Sequence, residues 1–222
     1  MTRTRAALHE EIRSTLRVSF PQLHLHVTPA LVEIRGTFPV RGVNGEELDR
    51  YSISIELPND FPDGLPIVRE LGGRIPWHEN HHVERNGRAC VLLPDDRWRC
   101  FPLGAPFSTY LDGPLHNYFL SQAVHAETGE WPLGEWGHGN HGIYQHYKQL
   151  LGTADEAVIR SFLQVLAKLD VNRGQPCPCG SGEKLKRCCM PRVIDLRRKI
   201  PRGVAAMSLA RVEGKLAAKE TT

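Results

Sequence analysis

Cys177, Cys179, Cys188 and Cys189 crowd four thiols into thirteen residues, Cys177-Pro-Cys-Gly-Ser-Gly-Glu-Lys-Leu-Lys-Arg-Cys-Cys189. Two short cysteine pairs separated by a glycine turn can close a tetrahedron of thiolates around one zinc ion. Gly180 and Gly182 let the chain reverse between the pairs. Lys184, Lys186 and Arg187 offset part of the charge of a four-thiolate site. With all four positions taken by protein, such a zinc is structural and leaves no open place for a substrate. The stretch holds few apolar residues, so the expectation is that metal binding supplies the folding energy.

The other two cysteines stand alone. Cys90 ends the run Asn86-Gly-Arg-Ala-Cys90-Val-Leu, with Trp98 eight residues beyond. A thiol becomes a nucleophile when nearby positive charge favours its thiolate, and Arg85, Arg88 and a histidine-rich stretch lie close in sequence. The competing reading of Cys90 is a small buried apolar side chain. Cys100 follows Arg97-Trp98-Arg99 and is the rival nucleophile. Upstream, Arg74-Ile-Pro-Trp-His78-Glu-Asn80-His-His82 supplies hydrogen-bond donors that could face a reacting carbonyl. The histidines also leave open a metal site from His78, His81, His82 and Cys90, or from Glu135, His138 and His141.

The elements that must carry these residues read as follows. Leu8, Ile12 and Leu16 form one apolar stripe on a helix over 3–18, ended by Pro21. Residues 30–40 read as a strand, with Val32, Ile34 and Phe38 inward. A turn containing Gly42, Asn44 and Gly45 leads to the alternation Tyr51, Ile53, Ile55, Leu57, a half-buried strand. Pro58, Pro62 and Pro66 keep the next stretch extended, and Ile67-Val68 begins a third strand. Leu111, Leu115, Phe119 and Val124 predict a helix near 109–127, followed by a glycine- and tryptophan-rich loop over 129–142. A last helix over 154–169 presents Val158, Phe162, Val165 and Leu169. Asn172-Arg-Gly-Gln-Pro reads as a linker, which divides the chain into residues 1–171 and 172–222. Strands followed by helices make the fold class α+β: an antiparallel meander flanked by helices, plus a small C-terminal zinc module.

Two resemblances rest on these residues. The cysteine stretch closely resembles the SEC-C motif, named for the zinc tail of the bacterial preprotein translocase motor. Pro58-Asn-Asp-Phe61-Pro62-Asp-Gly-Leu-Pro66, the Arg74–Asn80 segment, Gly87-Arg-Ala-Cys90 and Trp98 together resemble the ubiquitin-conjugating enzyme family, over roughly residues 5–128. That resemblance implies a UBC fold in which Cys90 carries the C-terminal glycine of another protein as a thioester and passes it to a lysine amine. An amide or imidazole near Cys90 would then steady the oxyanion. His78 and Asn80 match the family's His-Pro-Asn segment by local sequence. Glu79 replaces its proline, and the gap to Cys90 is two residues longer than usual, so His82 matches its asparagine by distance. Related folds also lack the cysteine and serve as interaction domains, which keeps a non-catalytic adaptor open; a cysteine hydrolase using His78 or His82 is a third reading.

The pairing of such a domain with a SEC-C motif resembles bacterial conjugating proteins from antiphage defence (CBASS-like) operons. It implies a ubiquitin-like protein or a cGAS-like nucleotidyltransferase as donor of the C-terminal glycine, an activating enzyme, and a target lysine. Hydrophobic residues make up 41% and charged residues 24% of the chain, the balance of a globular protein, with no apolar run long enough to span a bilayer. The N-terminus has no apolar core of a secretory signal, so the expectation is the cytoplasm. Residues 183–222 hold eleven Lys/Arg against four Asp/Glu in a chain of net charge +3. No aromatic residue interleaves them to stack on bases, so this basic end is expected to be solvated or to meet an acidic partner, not nucleic acid.

Overall fold

A computed structural model of the chain describes residues 4–132 and 139–214. It has two compact units: Met1–Leu92 with Arg99–Glu135, and Leu93–Trp98 with Trp136–Thr222. Residue 172, where the sequence suggested a domain boundary, lies inside the second unit. The architecture is α+β, with a four-stranded antiparallel sheet in the first unit and helices in both.

In the first unit α1 (Arg5–Ser19) starts at Thr4, whose hydroxyl accepts the Ala7 amide hydrogen. Its Leu8, Ile12 and Leu16 are buried, as their spacing requires. The sheet is a meander of β1 (Leu23–Val27), β2 (Val32–Arg41), β3 (Glu47–Leu57) and β4 (Ile67–Glu70), paired in that order. Register sets Ile34 against Ile55, Phe38 against Tyr51 and Ile55 against Val68, so their side chains share one apolar face. The sequence reading missed β1, whose Leu23 is the one fully buried residue among exposed or half-buried histidines and Leu25.

The helical stretch expected near 109–127 runs from α3 (Phe107–Tyr110) through a wide π-turn, Leu111–Leu115, into α4 (His116–Thr128). Pro114 sits within that turn; lacking an N–H, it cannot complete an ordinary helical ladder there. Phe119 of α4 lies between Phe38 and Tyr51, with ring centroids 5.6 and 4.8 Å away, which seats the helix on the sheet. Between β4 and α3 the chain is loop-rich, with one four-residue helix, α2 (Arg97–Cys100).

The second unit contains α5 (Gly139–Leu151), α6 (Glu156–Ala167), α7 (Met190–Lys199) and α8 (Arg202–Val212). Helix α5 was not expected, and its first turn falls in the segment read as a loop. In α6 the buried face is Ile159, Phe162, Leu163, Val165 and Leu166, while Leu169, expected inside, lies beyond the helix and is 69% exposed. Nor is the basic end a solvated tail through residue 214, because α7 and α8 share the core with α5 and α6. Several of its cations have local partners: Arg192 donates to the Leu150 carbonyl, Arg197 to that of Leu169, and Lys199 sits over the Trp98 ring. None of the described helices is long and apolar enough to cross a membrane.

Candidate functional site

The segment leading to Cys90 is fixed from β4 outward. The Glu70 carboxylate accepts the amide hydrogens of Gly72 and Arg74 at 2.6 and 3.0 Å, bending the chain back at the strand end. Arg74 then forks onto Asp49 through two bonds of 2.9 and 2.7 Å, donates to the Arg50 carbonyl, and lies over the Tyr51 ring. This guanidinium holds the Asp49 carboxyl below its ordinary value, while burial pushes the Tyr51 phenol up to about 12. Ile75 is buried, and Trp77, 61% exposed, covers Gly87. A Cβ at 87 would collide with the indole, and its backbone is left-handed at φ 79°, so glycine suits the position twice over.

From His78 the chain makes a single 3-10 turn, Glu79–His81, started by the His78 ring nitrogen accepting the Asn80 amide hydrogen at 3.2 Å. His82 ends the turn in left-handed conformation. A tight hairpin follows: Val83 bridges Ala89, the Glu84 amide donates to the Arg88 carbonyl, and the Cys90 amide donates to the His82 carbonyl at 2.8 Å. The Ala89 amide also donates to Val68 of β4, so this hairpin hangs on the sheet edge.

Cys90 is exposed at the hairpin's end, which removes the reading of a buried apolar thiol. His82 is its backbone partner, whereas His78 and Asn80 lie on the exposed turn before it. Cys100 is half-buried at the end of α2.

Helix α4 contributes residues that the sequence reading did not single out. Gln122 is 4% exposed and donates through Nε2 to the His81 carbonyl at 2.6 Å, and the Tyr118 hydroxyl donates to the same oxygen at 3.4 Å. Burial, helped by the nearby Cys90 charge, raises the Tyr118 pKa far enough to keep it a phenol at any working pH. Trp131 stacks on His125, centroids 4.1 Å apart, and meets the His82 ring edge-on at 5.2 Å; His125 in turn contacts His81. Burial is the main reason the His81 pKa is lowered, with His125 and His78 adding to it. A signal for Gln122 was present: it continues the buried stripe of Leu111, Leu115, Tyr118 and Phe119 as a polar residue, and buried polar groups have specific partners.

In the second unit the four cysteines converge. Sγ separations are 3.3 Å for Cys177–Cys179, 3.5 Å for Cys179–Cys188 and 3.7 Å for Cys188–Cys189, and all four atoms lie within 4.8 Å of one another. A tetrahedral zinc with bonds of about 2.3 Å requires sulfurs about 3.8 Å apart, so this donor set fits it. The knuckle is a hairpin: Pro176 bridges Lys184, and the Cys177 amide donates to Glu183. The Ser181 hydroxyl and amide lower the Cys179 pKa to about 6, whereas burial and neighbouring thiols raise that of Cys189. Packed thiols cannot all ionise alone; a divalent ion between them would remove that conflict and hold the hairpin closed.

The segment read as a linker is part of this knuckle, because the carbonyls of Arg173 and Gln175 accept amide hydrogens from Lys186 and Leu185. Leu185 is fully buried with Val193 and Leu196, so the knuckle also has a hydrophobic footing that its own sequence did not suggest. Among the described residues no other set of three or more His, Cys, Asp or Glu converges to metal-binding distance. His78, His81, His82 and Cys90 therefore do not form the alternative metal site; Glu135 and His138 of the second alternative lie outside the described residues.

The fold and sites define an α+β protein with an exposed cysteine on a sheet-edge hairpin and a four-cysteine zinc-type knuckle built into a helical unit. The family model of the SEC-C motif matches residues 173–191, which takes in all four cysteines. No curated protein and no solved structure matches the chain.

Proposed function

We propose that the first unit is a ubiquitin-conjugating-like acyl carrier with a UBC fold, and that Cys90 is its nucleophile. The observation that carries this reading is the placement of Cys90: exposed, at the end of a hairpin tied to β4, with its amide bonded to His82. The order of helix, four-stranded meander, reactive loop and helix supports it.

In the first step the Cys90 thiolate attacks the carbonyl of a C-terminal glycine. A new C–S bond forms, and the activating group leaves with its electron pair. In the second, a lysine amine attacks that thioester, the C–N bond forms, the C–S bond breaks, the amine proton passes to solvent, and Cys90 regains its thiolate. A donor at the oxyanion contributes about 3 kcal/mol to such a step. We assign that role to His82, whose carbonyl accepts the Cys90 amide hydrogen, with His78 and Asn80 as the alternatives. The donor protein is a ubiquitin-like protein or a cGAS-like nucleotidyltransferase delivered by an activating enzyme, in a bacterial antiphage defence setting of the CBASS kind. The zinc knuckle is structural and belongs to the helical unit.

Intact mass of the chain co-expressed with its genomic neighbours tests the reading, with Cys90→Ala and Cys100→Ala alongside. The expected result is an adduct on the wild type that hydroxylamine releases and that Cys90→Ala, but not Cys100→Ala, abolishes. No adduct with active partners present would favour the adaptor, and turnover of a preformed conjugate would favour the hydrolase.

A further inference from the structure

His82 is the one non-glycine residue with a left-handed backbone among the described residues, at φ 54° and ψ 40°. That conformation is disfavoured for a residue with a Cβ, and it persists only where neighbours impose it. The neighbours here are identifiable. The carbonyl before the twist, on His81, takes the Gln122 amide at 2.6 Å and the Tyr118 hydroxyl at 3.4 Å. The carbonyl of His82 itself takes the Cys90 amide. The ring is braced on the edge of Trp131, which is stacked in turn on His125 of α4. The twist is thus held from one side by a helix and from the other by the nucleophile's own backbone.

Gln122 is the stronger of the two helix contacts, and it is a buried polar side chain on an otherwise apolar stripe. Exchanging it for an apolar residue of similar size would leave the His81 carbonyl only the long bond from Tyr118.

We propose that Gln122 is a positioning residue for acyl transfer: it holds the His81 carbonyl so that His82 keeps the left-handed turn that sets its imidazole beside Cys90. The inference rests on the acyl-carrier reading of Cys90. In the transfer step the His82 imidazole N–H donates to the oxyanion that forms as the amine adds to the thioester carbonyl. That hydrogen bond is released when the oxyanion collapses to the amide carbonyl and the C–S bond breaks. Positioning matters because a donor displaced by about 1 Å loses much of its effect on rate.

The test uses the full zinc-loaded chain and a fluorescent peptide ending in Gly-Gly, supplied as its mercaptoethanesulfonate thioester, with free lysine as acceptor. Exchange onto Cys90 is followed first, then discharge after the donor is removed, as a function of lysine concentration. Gln122→Met, which keeps the volume and loses the donor, is expected to lower the limiting discharge rate at least tenfold with the half-saturating lysine concentration little changed. Adding His82→Asn, which tolerates the left-handed turn and retains an amide donor, is expected to recover most of that loss; a general loosening of the core would not be repaired there. Discharge of Gln122→Met at the wild-type rate, or failure of His82→Asn to restore it, overturns the positioning role while leaving the acyl carrier standing. A wild type that never takes up the peptide overturns the acyl-carrier reading, and this inference with it.

Discussion

Asp95 shows how a single buried charge can be located and tested. It is 1% exposed, and its carboxylate accepts hydroxyl hydrogens from Tyr147 of α5 and Ser208 of α8, both at 2.7 Å. Burial raises its pKa, against the opposing pull of those two bonds and of His146. The folded unit therefore holds the Asp95 proton more tightly than the unfolded chain does. This contribution is fully present below the ordinary value of 3.8 and is lost as pH rises through the raised one. Asp95→Asn keeps an acceptor and has no charge to bury. Denaturant unfolding of the second unit should find it as stable as wild type or more so at neutral pH, with the Asp95 share of the decline above pH 3.8 removed. Asp95→Ala should instead cost about 1–3 kcal/mol, because two buried hydroxyls lose their acceptor.

At the scale of elements, the sheet depends on one close approach. Gly36 lies opposite Leu23 in the β1–β2 pair, with φ 141°, and a Cβ there would overlap the Gln22 carbonyl oxygen. That oxygen accepts the Thr37 amide hydrogen, so β1 cannot retreat without losing a bond. Gly36→Ala should destabilise the first unit by about 2 kcal/mol or more, read as a lower urea midpoint with little change in slope.

Elements with strong periodicity were legible: α1 from Leu8, Ile12 and Leu16, and β3 from its alternation. β1 was not, because a five-residue edge strand with two histidines has no period to detect. α5 escaped because its opening, Gly-Asn-His-Gly, reads as a loop, and its helical character rests on packing of Ile143, Tyr147 and Leu151. The candidate site divides in the same way. Cys90 and His82 could be found by counting along the chain. Gln122 and Trp131 meet them only through the placement of α4, which no local pattern encodes.

For the whole molecule, the two units are held differently. The first rests on its sheet and the rings around Phe119, whereas the second combines an apolar core with a knuckle of four thiols. Removing zinc with a chelator should lower one of two calorimetric transitions by about 10 °C or more, since each kcal/mol moves a domain of this size by about 4–8 °C. The other transition should be unchanged. Zinc uptake should also weaken as pH falls, because Cys189, raised by burial and neighbouring thiols, must give up its proton to bind.

The burial of Leu185 has a consequence for how such a chain can be cut or recombined. Composition invites division near residue 172, as though the knuckle were a cassette that a gene could gain or drop at its end. Yet Leu185, Val193, Leu196 and Ile200 close the same core as Ile143, Tyr147, Ile159 and Phe162. A chain ending at residue 171 would leave the faces of two helices open to water, and it would be expected to aggregate or be degraded. The smallest inheritable piece that keeps the zinc site is therefore the helical unit as a whole, including the short stretch of Leu93–Trp98 that precedes it in sequence.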